Sequence, residues 1–133
     1  MYKQILVLFF LVAAVAAETA YFAFKTHGSY NDLVFQLTDD KLIKHARDLL
    51  SGATDEEPHI MGRIRKQTAS YNPKYSFYID PTTIQFFNHA IEVCDSSLTY
   101  LEENLDEACG AFLPGCFFCP WTSKLTKEIT DIK

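Results

Sequence analysis

Four cysteines, Cys94, Cys109, Cys116 and Cys119, all fall in the C-terminal part of a 133-residue chain, and they restrict its fold more than any other feature. Whether they cross-link depends on the compartment, and the N-terminus bears on that. Met1–Gln4 carries one Lys, Ile5–Ala14 is an unbroken apolar run, and Val15-Ala16-Ala17 is a small-residue cleavage site before Glu18. That is the layout of a secretory signal peptide, expected over residues 1–17 ahead of a single secreted, extracellular domain over residues 18–133. The apolar stretch Ile5–Ala17 has thirteen residues, short of the roughly 18–20 that a membrane span needs, so no membrane span is expected. An even set of cysteines in an exported chain predicts two disulfides.

Without residues 1–17 the chain keeps 11 basic and 17 acidic residues, a net charge of −6. With no basic run longer than Arg63–Lys66, that balance argues against a nucleic-acid partner. Sixteen aromatics spread along the remaining chain argue against disorder.

The hydrophobic patterning reads as an α+β fold. Phe22 and Phe24 within Tyr21–Thr26, and Leu33, Phe35 and Leu37, alternate about a turn rich in Gly, Asn and Asp. They predict an antiparallel hairpin. Thr38–Gly52 carries the punctuation of a helix: Thr38 as N-cap, Asp39 and Asp40 in the first turn, Gly52 as a left-handed C-cap, and a buried stripe of Leu42, Ala46, Leu49 and Leu50. His59–Arg65 alternates as a strand, and Tyr75–Ile79 as another. Asp80-Pro81 is an N-cap type before a proline suited to the first helical position. From there Ile84, Phe87, Ile91, Cys94, Leu98, Leu101 and Leu105 recur every three or four residues, which predicts a long helix over Pro81–Ala108. Asp95-Ser96-Ser97 is its weak point, because these side chains compete for backbone hydrogen bonds. The last segment, Lys124–Ile132, fits a short helix or an extended end.

A continuous helix constrains the cysteines. Cys94 and Cys109 would lie about 22 Å apart along it, beyond the roughly 7 Å a disulfide spans between Cα atoms. The chain must then fold back after Gly110. Ten residues reach about 33 Å and carry Cys119 to Cys94 with slack, whereas seven residues reach only about 23 Å. The expectation is Cys94–Cys119 with Cys109–Cys116, conditional on an unbroken helix through Asp95–Ser97. The same residues contain a second reading: Cys116-Phe117-Phe118-Cys119 is a C-x-x-C motif, the spacing used by thiol–disulfide oxidoreductases.

No phosphate loop, nucleophile elbow, zinc helix or calcium loop is present, so no catalytic residue, cofactor or metal is expected. His27, His45, His59 and His89 are scattered over four predicted elements, and His89 with Glu92 is a lone i, i+3 pair. Glu102, Glu103, Asp106 and Glu107 read as a solvated helix face, and Arg63, Arg65 and Lys66 as the outer side of a strand. The segment Ala111–Trp121 is more suggestive. It places Phe112, Leu113, Phe117, Phe118 and Trp121 in a disulfide-stapled loop, the kind of preordered apolar anchor a binding protein presents. The competing assignment has these side chains completing the core.

An ordered set of motifs points to a family. Met61-Gly62-Arg63-Ile64, Tyr71-Asn72-Pro73-Lys74-Tyr75-Ser76-Phe77-Tyr78-Ile79-Asp80-Pro81, Ile84-Gln85-Phe86-Phe87, Ile91-Glu92-Val93-Cys94-Asp95, Phe112-Leu113-Pro114-Gly115 and Cys119-Pro120-Trp121 resemble the small domains named after the N-terminal domain of a slime-mould calmodulin-binding protein. The resemblance covers essentially all of residues 18–133. It implies no catalytic role, and it implies structural cysteines at Cys94 and Cys119, with Cys109 and Cys116 as an addition. Tyr75 stands where family members carry Trp. Calmodulin binding does not follow, since Arg63–Lys66 lies on a predicted strand and not on a basic amphipathic helix.

The expectation is therefore a small antiparallel sheet packed against two main helices, with the C-terminal loop pinned by disulfides. The function expected is a secreted, non-enzymatic binding protein whose stapled loop meets an extracellular protein partner. Two alternatives stay open: a protease inhibitor using Gly110–Cys119 as a substrate-like loop, and a thiol–disulfide oxidoreductase.

Overall fold

The computed structural model describes residues 18–132; the signal peptide expected at residues 1–17 lies outside them. The first half follows its patterning closely. β1 (Ala20–Lys25) and β2 (Leu33–Leu37) form the antiparallel hairpin, with Phe22 opposite Phe35. α1 (Asp40–Ser51) ends on Gly52 in the left-handed region at φ 78°. Its N-cap is Asp39, one residue later than expected, whose carboxylate accepts from the Lys41 and Leu42 amides. The buried residues of the helix are Ile43 and Ala46, and Leu42, Leu49 and Leu50 are half-buried.

The last segment is extended. β7 (Lys124–Ile129) pairs antiparallel with β1, giving a sheet in the order β2-β1-β7. Arg47 on α1 bridges Glu18, just before β1, and Glu128 near the end of β7, tying the helix to one end of this sheet. The hydrogen bonds from Arg47 hold the Glu128 carboxyl below the usual range.

The second sheet is built on β3 (His59–Arg65). β4 (Tyr78–Ile79), β5 (Gln85–Phe87) and β6 (Phe117–Phe118) each pair with a different part of it. Tyr75–Ile79 was expected to be one strand, but only its last two residues join the ladder; Tyr75 and Phe77 are buried in extended chain before it. Asn72, buried in this approach, accepts the Val34 amide and donates to the Phe77 carbonyl, so one side chain satisfies two backbone groups of different elements. Between β4 and β5 a single 3₁₀ turn over Pro81–Thr83 bulges from the ladder, capped by the Asp80 side chain. Thr83 Oγ1 accepts the Arg63 amide there at 2.9 Å, filling the gap the bulge leaves. Arg65 donates to Asp80 at 2.8 Å and holds that carboxyl below its ordinary value.

The long helix expected over Pro81–Ala108 does not form. In its place lie the turn at Pro81–Thr83, β5, a second 3₁₀ turn at Glu92–Cys94, α2 (Leu98–Glu103) and a third 3₁₀ turn at Leu105–Glu107. Ile84 is already extended, at φ −71°, ψ 135°. From there Gln85-Phe86-Phe87, with two aromatics that favour strand, pairs with His59–Met61. Asp95-Ser96-Ser97 breaks the chain where its side chains compete with the backbone, and Ser97 becomes the N-cap of α2 by accepting the Tyr100 amide. Five of the seven stripe residues (Ile84, Phe87, Cys94, Leu98 and Leu101) are nevertheless buried, in two separate clusters.

Two hydroxyls stitch these parts together. Thr26, at the end of β1, accepts the Leu98 amide at the start of α2. Ser123, before β7, accepts the Ile60 amide and so links the two sheets. The core between them is aromatic: Phe22, Phe24, Phe35, Phe77 and Phe118 are fully buried, with Phe118 edge-on to Phe77 at 6.3 Å.

Gly62 sits where the packing is tightest. A Cβ there would lie 2.5 Å from Ile79 Cγ2 and 3.2 Å from Thr83 Oγ1. Gly62→Ala is therefore expected to destabilise the domain by about 1–3 kcal/mol through overpacking. Urea unfolding checks this, and an unchanged midpoint would contradict the close approach.

Candidate functional site

The C-terminal loop is folded inwards. Leu113 and Phe118, both expected to anchor a partner, are fully buried in the core. Phe118 pairs with Gly62 as part of β6, and this strand partner, remote in sequence, is what draws the loop in. Phe112, Phe117 and Trp121 are half-buried. Phe112 packs edge-on against Tyr100 at 5.3 Å, Phe117 lies under the Arg63 guanidinium at 5.7 Å, and Trp121 packs edge-on against Phe87 at 5.9 Å. The Trp121 amide donates to Asp95 Oδ1 at 2.9 Å, while its indole Nε1 is buried without a hydrogen-bond partner.

The cysteines pair as Cys94–Cys119 and Cys109–Cys116. The pairing agrees with expectation although the helix invoked for it is absent. Cys94 closes the turn Glu92–Cys94, Cys119 follows β6, and the Cys119 amide donates to the Cys94 carbonyl at 2.8 Å, so the backbone bond and the disulfide clamp the same two residues. Each sulfur of the C-x-x-C motif is bonded elsewhere, and Cys116 and Cys119 do not form the mutual bond a redox pair needs.

The shorter ring is tightly wound. Cys109, Leu113, Gly115 and Cys116 all have left-handed φ, from 48° to 73°. Three of the four carry a Cβ, a conformation costing roughly 1–2 kcal/mol each. Leu113 is buried within the ring, while Ala111 and Pro114 are exposed.

Besides Tyr30 and Tyr100, the exposed large hydrophobic side chains among the described residues are two aliphatics next door. Ile91 is 69% exposed and Val93 51% exposed, immediately before Cys94. Beneath them Phe87, Cys94 and Cys119 form a small buried cluster, with Met61, Ala90, Phe117 and Trp121 packed against it. Ile91 has extended backbone, φ −77° and ψ 147°. Helical periodicity put Ile91 on the buried stripe and drew no attention to Val93. The signal that was available is local: two branched aliphatics at i, i+2 beside a cysteine, in a stretch whose polar neighbours break helix.

The other candidates stay apart. Among the described residues no group of three or more His, Cys, Asp or Glu side chains converges to hold a metal. His89 and Glu92 lose the helix that paired them. Glu102 is half-buried and engaged in the fold, accepting from the Ser76 amide and hydroxyl. Lys66 donates to the Asp106 carbonyl.

The family model of the BP-74 N-terminal domain, the calmodulin-binding protein domain whose motifs the sequence resembles, matches residues 18–131, and the chain belongs to that family. Neither the curated proteins nor the solved structures contain a match to it.

The two cross-links are expected to differ in weight. They join residues 25 and 7 apart in sequence, which in the chain-entropy account corresponds to about 3.5 and about 2.5 kcal/mol. Replacing Cys94 and Cys119 together by Ala should lower the urea midpoint more than replacing Cys109 and Cys116. Strain released from the left-handed ring widens the gap. The reverse order would contradict it.

Proposed function

We propose that this family member is an exported, non-enzymatic binding module, and that it meets an extracellular protein partner through Ile91 and Val93. The supporting observation is their exposure on a segment that is clamped and not loose. Leaving such side chains in water forgoes about 1.5–3 kcal/mol each relative to full burial, which contact with a partner recovers. The Cys94–Cys119 bridge and the Cys119–Cys94 backbone bond order the segment in advance, so little conformational entropy is lost on association.

This reading keeps the disulfide-stapled region as the contact surface but moves the contacting residues. Phe117 and Trp121 support the clamp from the buried side, and Leu113 and Phe118 belong to the core. An acidic domain fits a protein partner better than a nucleic acid.

A photo-crosslinking side chain at position 93, compared with one at exposed Lys74, tests the reading in extracellular fluid. Position 93 should yield a discrete adduct that position 74 does not. Unlabelled protein should compete the adduct away, and the Ile91→Asp, Val93→Asp protein should not. No adduct at 93, or full competition by that variant, would contradict the proposal.

A further inference from the structure

A cleft of about 540 Å³ opens on another part of the surface, between the C-terminal end of α1 and the start of β7. Its size falls within the range of small-molecule sites. Leu49, Leu50, Pro58 and Leu125 give it apolar walls, and Asp55, Glu56 and Glu57 line it as a run of carboxylates. Glu56 faces His45 at 3.4 Å, whereas among the described residues neither Asp55 nor Glu57 has an ion-pair partner.

Two further features set the sign of the field. α1 has twelve residues with no basic residue in its last turn, and its C-cap Gly52 lines the cleft, so the helix brings the negative end of its dipole there uncompensated. Lys124 is the one Lys or Arg in the lining, against three carboxylates. His59 also lines it. Its Nδ1 lies 2.9 Å from the Ser123 carbonyl, an acceptor only, so Nδ1–H donates there.

We infer that this cleft binds a small organic amine, a free molecule with an apolar body and a protonated nitrogen. The body lies against Leu50, Pro58 and Leu125, and the ammonium is held by Asp55 and Glu57 at the negative end of α1. The apolar walls alone would accept many ligands; the carboxylates and the helix end select a cation over an anion of the same shape. The site is separate from Ile91 and Val93, so either reading can fail without the other.

Phenethylamine is a suitable probe, with phenylacetate as the same ring bearing the opposite charge. Isothermal titration of the secreted protein at low salt should show saturable one-to-one binding of phenethylamine, at least about tenfold tighter than phenylacetate. The Asp55→Asn, Glu57→Gln protein, altered only at exposed positions, should weaken phenethylamine by about tenfold or more. It should retain wild-type crosslinking at position 93. Lys124→Ala should tighten phenethylamine. Absent saturation, equal affinity for the two probes, or indifference to the carboxylate substitutions would each overturn the inference.

Discussion

The pairing of three very short strands with one longer strand holds the second half of this molecule together. β4, β5 and β6 have two or three residues each, too few to stand as structure alone. Each becomes a strand because β3 supplies the complementary hydrogen-bonding edge, and the close approach at Gly62 lets Ile79, Thr83 and Ile84 sit against that edge. Between these anchor points the chain can be irregular without being loose. Asn72, Thr26 and Ser123 take up backbone groups that neither sheet satisfies, and the disulfides close what remains.

What was legible in the sequence depended on how local its cause is. The hairpin, α1 with its Gly52 cap, and β3 have their determinants within a few residues and form as patterned; the Asp80 cap before Pro81 also forms, but it opens only a 3₁₀ turn. The helix over Pro81–Ala108 fails because spacing of three and four is necessary for a helix but is also met by buried residues in unrelated pieces of chain. Ile84 precedes β5 and Phe87 ends it, Cys94 ends a turn, and Leu98 and Leu101 lie on α2. Ile91, the stripe residue that is most exposed, shows the pattern was coincidental. The inward fold of Phe118 was one of two assignments open for the loop, and nothing local decided between them. Its cause is β3, which no local window around the loop contains.

The Cys94–Cys119 pairing shows how a correct conclusion can rest on a wrong intermediate. A helical rod would keep Cys94 and Cys109 apart, but the chain between them turns at Cys94, Ser97 and Leu105. What brings Cys119 to Cys94 is β6, whose pairing with Gly62 and Arg63 sets down the following residue beside the turn. The same arrangement decides which apolar residues are hidden. β6 carries Phe118 into the core, and the disulfide holds the segment before Cys94 outside it, with Ile91 and Val93 in water. Aromatic rings continue from this knot to the acidic cleft, Trp121 against Phe87 at 5.9 Å and Phe87 against His59 at 5.4 Å.

The central claim is that Ile91 and Val93 are displayed on an ordered segment. Nitrogen-15 relaxation of the Ile91 and Val93 amides in the oxidised protein tests it most directly. The clamp predicts order parameters near the rigid-backbone value of about 0.85, matching those of β3. Values below about 0.6 with the disulfide intact would mean a flexible segment, and a preordered contact surface at Ile91 and Val93 would then be contradicted.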